Sequence, residues 1–481
     1  MYVSLEQIRI MLNLPLVEAE DALMISSICR DTSDVRMNSL FVCIKGERFD
    51  GHDFAHKAVA AGAIALLVTQ HLPEINIPQL IVDDTVEALG QLAHAWRKKF
   101  NGKVIAITGS AGKTTVKEIL ADILSMAGYK VARNLLNFNN QIGMPLSVLA
   151  TSGQEDFWVM ELGISKSYDM DILGKILEPD VALILNVGVA HTEGLGDRGV
   201  AYYKSRLLAY VQANGGKAFV SADYEQLKIE ASAIYPKVEF FSAEHAQNAL
   251  YFSTYLGRGT SRDLGKGKYS ISKQLDASGG SKRFEVLAPF YGAYGAENAA
   301  AIVAVAESVG LDVMHIQNGF MQASLPQQRF NAQQIGTWHI IDDSYNANPL
   351  SMKRMIFAML EMAKVEAEAS SNIPCYAVLG AMGELGSSAE QEHENLGKVL
   401  AQSGIQNIFW AGAYGDCVKK GLKSDNFTGF FVQVKNVGNF AHHWKKRNLS
   451  PGYVLCKGSR SNKLEELVHI IHYFAEQSVI K

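Results

Sequence analysis

Apolar residues along this chain alternate between short, β-branched runs and longer stretches with helical spacing. The runs typical of buried strands lie at residues 39–44, 63–68, 80–82, 104–107, 157–160, 181–185, 338–341, 376–379, 407–410 and 453–456. Residues 85–100 predict a helix, because Leu89, Leu92 and Trp96 share one face. Strands that alternate with helices are typical of α/β folds with parallel sheets.

The same pattern predicts three domains, since 481 residues are too many for a single core. We predict a small α/β domain at residues 1–100, a doubly wound parallel sheet at 101–324 and a Rossmann-like α/β domain at 325–481. The Gly-, Ser- and Lys-rich stretch 255–282 predicts exposed hairpins and turns rather than core. Residues 363–371 predict a solvated helix end.

Composition and charge exclude several classes of protein. Hydrophobic residues make up 48% and charged residues 20%, as in ordinary globular proteins. The net charge of −4 gives no reason to expect nucleic acid or an anionic membrane as a partner. No segment is typical of a signal peptide or long enough to cross a bilayer. The five cysteines are scattered, which favours reduced thiols, so we expect a cytoplasmic protein.

The segment Thr108-Gly109-Ser110-Ala111-Gly112-Lys113-Thr114-Thr115 joins a predicted strand to a predicted helix. The two glycines let backbone N–H groups turn towards phosphate oxygens, and the helix N-terminus adds positive charge. Lys113 supplies a cation for the β- and γ-phosphates, and Thr114 supplies a hydroxyl for Mg²⁺. The strict G-x-x-x-x-G-K-[ST] pattern needs glycine at position 107, so we interpret the segment as a shortened P-loop.

Two polar residues follow predicted strands and could serve this loop. Glu161 comes directly after strand 157–160, and His191 lies in a turn-rich stretch after strand 181–185. Ligand sites of open parallel sheets lie at the carboxyl ends of the strands, so we expect both near the P-loop. A carboxylate and a neutral imidazole are suitable ligands for a divalent metal. Taken alone, a residue of either kind is more often an ordinary polar group at a strand end, and only the placement relative to the P-loop favours the metal site.

Together these residues resemble the Mur ligases, the ATP-dependent amide-forming enzymes of peptidoglycan synthesis. Members carry a TG-x-x-GKTT loop, a strand-ending Glu, a downstream His and a Lys in a helix, which is Lys204 here. The resemblance implies that CO₂ carbamylates Lys204 and so converts a cation into an anion beside the metal. It implies Lys113, Glu161, His191 and Lys204 as catalytic residues. Thr114, Glu161, His191 and the Lys204 carbamate would then be ligands of two Mg²⁺ ions.

Two blocks are similar to the D-alanyl-D-alanine-adding members of this family. Residues 342–352 read DDSYNANPLSM, and residues 40–54 read LFVCIKGERFDGHDF. Shorter matches at 137–146, 379–386 and 454–460 extend the resemblance over nearly the whole chain. It implies that ATP phosphorylates the terminal carboxylate of UDP-N-acetylmuramoyl-tripeptide, and that the D-alanyl-D-alanine amine then attacks the acyl phosphate. The three predicted domains would bind the UDP-linked substrate, ATP with metal, and the incoming amine.

The resemblance also implies which residues bind each substrate. For ATP they are Gly109, Ser110, Ala111, Gly112, Lys113, Thr114, Thr115, Asn298, Arg329 and Asp343. For the substrate they are Asn137, Asn139, Asn140, Tyr345, Asn346 and Asn348. We expect small-molecule substrates only, with no nucleic acid and no membrane insertion, and a monomeric protein.

Several positions depart from the family pattern. Gly295 replaces the first Asn of a G-x-[HY]-N-x-x-N element that helps hold adenine, so one polar contact to the base is expected to be missing. The usual Pro-Gly-Arg reads Pro326-Gln327-Gln328-Arg329, and the arginine survives. Ala381 stands for a frequent Asp, and Ser33 stands for an Arg on the uridine side.

Two other functions remain open. One is another ligase of the same architecture, such as a diaminopimelate-adding enzyme or folylpolyglutamate synthase, against which the block at 343–349 argues. The other is a P-loop nucleotide switch or regulatory binding module. The second alternative predicts nucleotide affinity without an amide product and leaves two large flanking domains unexplained.

Overall fold

The computed structural model describes residues 1–134, 137–188, 195, 197–259, 266–275, 280–367 and 373–479. Within these ranges, sheets of four, nine and six strands follow one another along the chain, and a two-stranded pair lies near the N-terminus. All ten strands predicted from apolar runs are present, with ends that differ by at most two residues. The predicted α/β class is therefore confirmed.

The N-terminal part is built on the four-stranded sheet, in which all neighbouring strands are parallel. The strands of this part are β1 (Val3–Ser4), β2 (Met24–Ile25), β3 (Ser27–Cys29), β4 (Ser39–Val42), β5 (Ala63–Val68) and β6 (Gln79–Ile81). Its helices are α1 (Leu5–Met11), α2 (Ala55–Ala61) and α3 (Thr85–Lys99). Helix α3 begins at Asp84, whose carboxylate accepts the N–H groups of Val86 and Glu87 and so satisfies two otherwise unpaired donors.

The central part is a nine-stranded sheet in the order β15-β14-β13-β12-β11-β10-β7-β9-β8. Its strands are β7 (Lys103–Thr108), β8 (Val131–Arg133), β9 (Phe157–Glu161), β10 (Val181–Ile184), β11 (Lys217–Ser221), β12 (Glu239–Ser242), β13 (Tyr251–Arg258), β14 (Gly267–Gln274) and β15 (Ser281–Ala288). The helices are α4 (Lys113–Met126), α5 (Gly143–Leu149), α6 (Asp169–Leu177), α7 (Gly199–Ser205), α8 (Leu207–Ala213), α9 (Glu225–Ile234), α10 (Tyr294–Ser308) and α11 (Val313–Gln322). The seven strands β7 to β13 all pair in parallel. Strands β14 and β15 are antiparallel additions at one edge of the sheet.

Strand β7 lies inside this sheet and is covered on both faces. Ile105 and Ile107 pack into the core that contains α4 and α10, while Val104 and Ala106 pack into the core that contains α3 and α6. Because side chains alternate between the faces of a strand, a strand covered on both faces needs a continuous apolar run. This burial explains why the run 104–107 predicts a strand so clearly.

The prediction for residues 255–282 is wrong in part. Strand β14 contributes Tyr269 and Ile271 to the core, both fully buried, and the described portions of this stretch belong to the nine-stranded sheet. The apolar residues of β14 alternate with Lys and Ser on its other face, so the polar composition concealed a period-two pattern. In the helix end predicted at 363–371, Ala363 is buried rather than solvated, and residues 368–371 lie outside the described residues.

The C-terminal part is a six-stranded sheet in the order β16-β17-β21-β18-β19-β20. Its strands are β16 (Asn331–Ile335), β17 (Trp338–Asp343), β18 (Cys375–Gly380), β19 (Asn407–Ala411), β20 (Phe430–Val434) and β21 (Tyr453–Lys457). Its helices are α12 (Pro349–Ala367), α13 (Ala389–Gln402), α14 (Gly415–Ser424), α15 (Val437–Lys446) and α16 (Glu465–Val479). Among the described strands of this sheet only β16 is antiparallel to its neighbour, so the carboxyl ends of β17, β21 and β18 lie side by side.

None of the helices in the described ranges is both long enough and apolar enough to cross a membrane.

Candidate active site

The glycine loop between β7 and α4 has a backbone conformation that its sequence dictates. Gly112 has a φ of +82°, in the left-handed region that favours glycine, and α4 begins at the next residue. A Cβ on Gly109 would lie 3.0 Å from the Cβ of Leu185, so a side chain would crowd the neighbouring strand end. The first turn of α4 therefore presents its free N–H groups towards the loop, as a phosphate-binding helix terminus requires.

Asn186, at the end of β10, holds this loop through several hydrogen bonds. Its Oδ1 accepts the Ala111 N–H at 2.7 Å, and its Nδ2 donates to the Ala111 carbonyl at 3.1 Å. The Ser110 N–H donates to the Asn186 carbonyl at 3.0 Å. The amide side chain thus pairs with both backbone polar groups of Ala111, as the backbone of a neighbouring strand would, and holds the loop in this conformation.

Lys113, Thr114 and Glu161 meet at the carboxyl end of the central strands. Lys113 Nζ donates to the Gly109 carbonyl at 2.8 Å, so its ammonium group folds back over the loop. Thr114 Oγ1 donates to Glu161 Oε2 at 2.7 Å, and Asn139 Nδ2 donates to Glu161 Oε1 at 2.8 Å. Burial alone would raise the pKa of Glu161, but the charges of Lys113 and Arg329 hold this pKa below its usual value. Glu161 is therefore an anion inside the protein.

Lys204 in α7 is a buried lysine next to this cluster, with only 2% of its surface exposed. Burial lowers its pKa well below the ordinary lysine value, and the charge of Lys113 lowers it further. The carboxylate of Glu161 acts in the opposite direction. The amine of Lys204 consequently loses its proton far more readily than a surface lysine does.

Residues of the C-terminal part close the other side of the loop. Asn348 Nδ2 donates to the Ser110 carbonyl at 2.9 Å, which joins the DDSYNANP block directly to the loop. Lys457 Nζ donates to Asp343 Oδ2 at 2.5 Å and to the Asn346 carbonyl at 2.8 Å. This buried lysine ties the ends of β17 and β21 together.

The far end of the cleft combines apolar side chains with one unpaired amide. Phe290, Tyr294 and Leu325 line it, and Arg329 places its guanidinium 4.3 Å from the centre of the Tyr345 ring. Asn298 is 2% exposed, and its Oδ1 has no hydrogen-bond partner among the residues that the structure describes. A buried acceptor without a partner carries a desolvation penalty, so this atom is suited to a ligand donor.

The departure at Gly295 has a steric cause. A Cβ at this position would lie 2.2 Å from Tyr269 Oη and 2.6 Å from Phe290 Cδ2. Tyr269 is fully buried, and its hydroxyl donates to the Gly292 carbonyl at 3.0 Å, so it cannot move aside without losing that bond. The aromatic core here excludes the asparagine of the family pattern.

We therefore expect Gly295→Ala to reduce the free energy of unfolding by about 1–3 kcal/mol, because it overpacks a rigid core. Urea titration followed by circular dichroism measures the change. Gly438→Ala is the matched control, since Gly438 also lies in a helix but its Cβ would meet only one atom, at 3.6 Å. That variant should be equally or more stable, by roughly 0.5–1 kcal/mol. Equal stabilities of Gly295→Ala and the wild type would contradict the steric explanation.

Most of the predicted site residues line one cleft between the central and C-terminal parts. They are Ser110, Ala111, Gly112, Lys113, Thr114, Thr115, Asn137, Asn139, Asn140, Glu161, Asn298, Arg329, Asp343, Tyr345, Asn346 and Asn348. Gly109 belongs to the same loop, Lys204 is buried beside Glu161, and His191 lies outside the described residues. Asn140 already has a structural role, because its Oδ1 accepts the N–H groups of Ile142 and Gly143 at the start of α5.

Several residues of the site were not among the predicted ones. Lys457 and Asn186 each follow or end a buried parallel strand, so the rule that identified Glu161 could also have identified them. Glu384 lines the cleft from the loop after β18, within the matching segment 379–386. Arg354 also lines the cleft, from the second turn of α12, and no local pattern marks it.

The oxygen atoms of Thr114 and Glu161 fit a magnesium ion. They are hard donors, they lie beside the loop that would hold the phosphates, and Glu161 is ionised. Within the described ranges, no cluster of three or more His, Cys, Asp or Glu residues could hold a metal by itself. In nucleotide sites, Mg²⁺ is usually bound by one or two protein ligands together with phosphate oxygens and water.

A P-loop at the carboxyl end of a central parallel strand, faced by a buried carboxylate and closed by a second α/β unit, defines a multidomain nucleotide-binding protein. Residues 107–306 match the family described as Mur ligase middle domain, and residues 24–97 match the family described as Mur ligase family, catalytic domain. The chain belongs to the Mur ligase family.

Curated and solved relatives agree with this assignment. The chain is 31% identical to the UDP-N-acetylmuramoyl-tripeptide–D-alanyl-D-alanine ligase of Haemophilus influenzae, over 94% of each chain. It is 32% identical to the enzyme of the same name from Escherichia coli, over 98% of each chain. The crystal structure of MurF from Acinetobacter baumannii superposes with a TM-score of 0.82 at 28% identity, covering 98% of this chain and 99% of that one.

Proposed function

We propose that this chain is an ATP-dependent ligase that joins D-alanyl-D-alanine to UDP-N-acetylmuramoyl-tripeptide and releases ADP and phosphate. The observation that carries the proposal is the contact between Asn348 and the Ser110 carbonyl. It brings the block typical of D-alanyl-D-alanine-adding enzymes onto the P-loop. Curated relatives named for this activity match along nearly the whole chain, which supports the same conclusion.

We assign the binding of the three substrates to three domains, at residues 1–100, 101–324 and 325–481. The first would bind the UDP-linked peptide, the second ATP and Mg²⁺, and the third the incoming dipeptide. The cleft lies between the second and third domains, so the acyl phosphate would form where the amine arrives. Closure of these domains would exclude the water that hydrolyses an acyl phosphate.

The reaction requires activation of a carboxylate, because an unactivated carboxylate would have to expel oxide. In the first step a carboxylate oxygen bonds to the γ-phosphorus, and the bond from γ-phosphorus to the bridging oxygen breaks to release ADP. Lys113 lies where it can neutralise charge on the transferred group, and Arg329 adds a second positive charge to the cleft. In the second step the neutral amine attacks the acyl carbon, phosphate leaves, and the amine proton passes to solvent.

Thr114 and Glu161 would hold Mg²⁺ at the phosphates, and His191 would be a further ligand. When bound, Mg²⁺ supplies Lewis-acid neutralisation of the phosphate oxygens. Two ions would be held in this way. We propose that Lys204 is carbamylated on its neutral amine and provides an additional anion beside them. The lowered pKa of Lys204 supports this, since only the deprotonated amine can capture CO₂.

If Glu161 holds the metal, Glu161→Gln should raise the Mg²⁺ concentration for half-maximal activity at least tenfold, because it removes an anionic ligand without changing shape. Activity titrated with Mg²⁺ measures this. Glu155→Gln is the matched control, since Glu155 lies just before the other end of β9, where it accepts from Trp158 Nε1 at 3.0 Å. An unchanged Mg²⁺ requirement in Glu161→Gln would leave Glu161 as an ordinary buried carboxylate.

A coupled assay of ADP release tests the proposed function. ADP should form only when UDP-N-acetylmuramoyl-tripeptide and D-alanyl-D-alanine are both present, and mass spectrometry should identify the pentapeptide product. ADP release that needs a diamino acid or glutamate instead would assign another ligase of this architecture. Nucleotide binding without any amide product would assign a regulatory module.

We also propose that the protein works as a monomer in the cytoplasm on small molecules alone. All five cysteines are free thiols, which suits a reducing compartment. Light scattering during size-exclusion chromatography would test the first part, and a dimer mass would refute it.

A further inference from the structure

Helix α12 of the C-terminal domain lies against the ATP domain and makes polar contacts along one face. Arg354 Nη2 donates to Glu297 Oε2 at 2.6 Å. Two turns later, Glu361 Oε2 accepts the Ala293 N–H at 3.0 Å, directly before α10 begins. Positions seven apart lie on the same side of a helix, so one face of α12 docks the C-terminal domain onto α10.

Glu297 is a buried carboxylate whose two oxygens are both engaged. Its Oε1 accepts the Ser221 hydroxyl at 2.8 Å. Its Oε2 accepts from Arg354 and, at 3.1 Å, from Asn186 Nδ2. Only 2% of Glu297 is exposed, and a buried charge without a partner is strongly unfavourable. Burial raises the pKa of Glu297 above its usual value, and the charge and hydrogen bond of Arg354, from the other domain, oppose this rise and favour the ionised form.

The bond between Glu297 and Asn186 reaches the P-loop. An ionised carboxylate can only accept hydrogen bonds, so it must face the NH₂ end of the Asn186 amide. That orientation turns Oδ1 towards Ala111, whose N–H it accepts at 2.7 Å. If the amide turned over, two N–H groups would oppose each other at Ala111. The charge of Glu297 thus selects the side-chain orientation that holds the loop.

We propose that Arg354 and Glu297 form a positioning pair that links docking of the C-terminal domain to the nucleotide-binding shape of the P-loop, through Asn186. Asn348 acts in parallel, since it contacts the adjacent residue Ser110 directly. Docking of one domain would then increase the affinity of the other for nucleotide. The inference rests on the proposed function, because it requires the P-loop to bind ATP and ADP.

Arg354 lines the cleft, so a direct contact with a phosphate is the competing explanation for any effect of its removal. Glu297 separates the two explanations, because it is buried and is not among the residues that line the cleft. Removing Glu297 would free Arg354 for a phosphate under the competing explanation. Under the positioning role the same change disorders the loop.

The experiment measures the dissociation constant of ADP by isothermal titration calorimetry. We expect Arg354→Met and Glu297→Met each to weaken ADP binding at least tenfold. Glu297→Gln should bind better than Glu297→Met, because its carbonyl oxygen still accepts from Asn186. The double variant Arg354→Met/Glu297→Met leaves no unpaired buried charge, so it should recover thermal stability. Its ADP affinity should nevertheless stay low, because Asn186 has lost its acceptor.

Glu307→Met is the matched control on the same helix. Glu307 also accepts from a cation and a hydroxyl, at 2.7 Å from Lys273 Nζ and 3.0 Å from Tyr251 Oη. It lies ten residues beyond Glu297, about 15 Å along α10 and away from the P-loop. Its replacement should lower stability while leaving the ADP dissociation constant within twofold of the wild type.

Two results would overturn the positioning role. One is wild-type ADP affinity in Glu297→Met; the other is recovery of that affinity in the double variant, which would reveal a purely structural ion pair. If Glu297→Met does not fold, the double variant alone decides. Failure of the wild-type chain to bind ADP would instead refute the proposed function, and the inference with it.

Discussion

Replacing Lys113 by alanine is expected to abolish ADP formation while the protein stays folded. Its ammonium group lies over the P-loop, 2.8 Å from the Gly109 carbonyl, where it can contact the expected β- and γ-phosphates. Removing one electrostatic contact of this kind typically slows turnover 10²–10³-fold, or about 2.7–4 kcal/mol. Turnover in the coupled assay measures the effect.

The control for this prediction is Lys103, on the strand that leads into the same loop. Lys103 is exposed at the opposite end of β7, so Lys103→Ala should keep full turnover. Lys113→Ala should lose only about 1 kcal/mol of stability, because its side chain makes one hydrogen bond to the backbone. Turnover above about a tenth of the wild-type rate would contradict the assignment of this loop.

Lys204→Ala is expected to be nearly inactive and to regain part of its activity when a short carboxylic acid is added. Acetate can enter the space left by the side chain and supply the anion that the carbamate would supply. Lys204→Arg should remain inactive with or without acetate, because it restores a cation where an anion is required. Turnover of each variant across an acetate titration measures the rescue.

A second buried lysine tests whether the rescue is specific. Lys117 is fully buried, donates to the Asn134 carbonyl at 2.6 Å and pairs with Glu118 at 2.8 Å. Lys117→Ala should not respond to acetate. A ¹³C NMR signal from ¹³CO₂ bound to the Lys204 amine is the direct observation. An unmodified amine in an enzyme of full activity would refute the carbamate and leave Lys204 as an ordinary buried base.

Local patterns accounted for the elements and for part of the site. Strand β7 and helix α4 can be predicted from the sequence because their buried residues follow regular patterns. In β7 the pattern is a continuous apolar run, and in α4 it is apolar residues at helical spacing. The glycines, Lys113 and Thr114 between them follow from the conformational freedom and chemistry of single residues. Glu161 follows from the general rule that ligands of open parallel sheets bind at the carboxyl ends of the strands. Where composition and periodicity disagreed, as in β14, composition misled.

The sequence by itself determined the fold class, the P-loop, the buried acid next to it and the resemblance to an amide-forming family. Only the tertiary structure decided which distant residues complete the site. Asn348 meets a carbonyl 238 positions away, and Arg354 meets a carboxylate 57 positions away on another domain. Gly295 likewise had no local explanation, since the side chains that exclude a Cβ there come from β14 and from Phe290. Contacts of this kind depend on how whole sheets and helices pack, and no repeat along the chain encodes the distance between two such atoms.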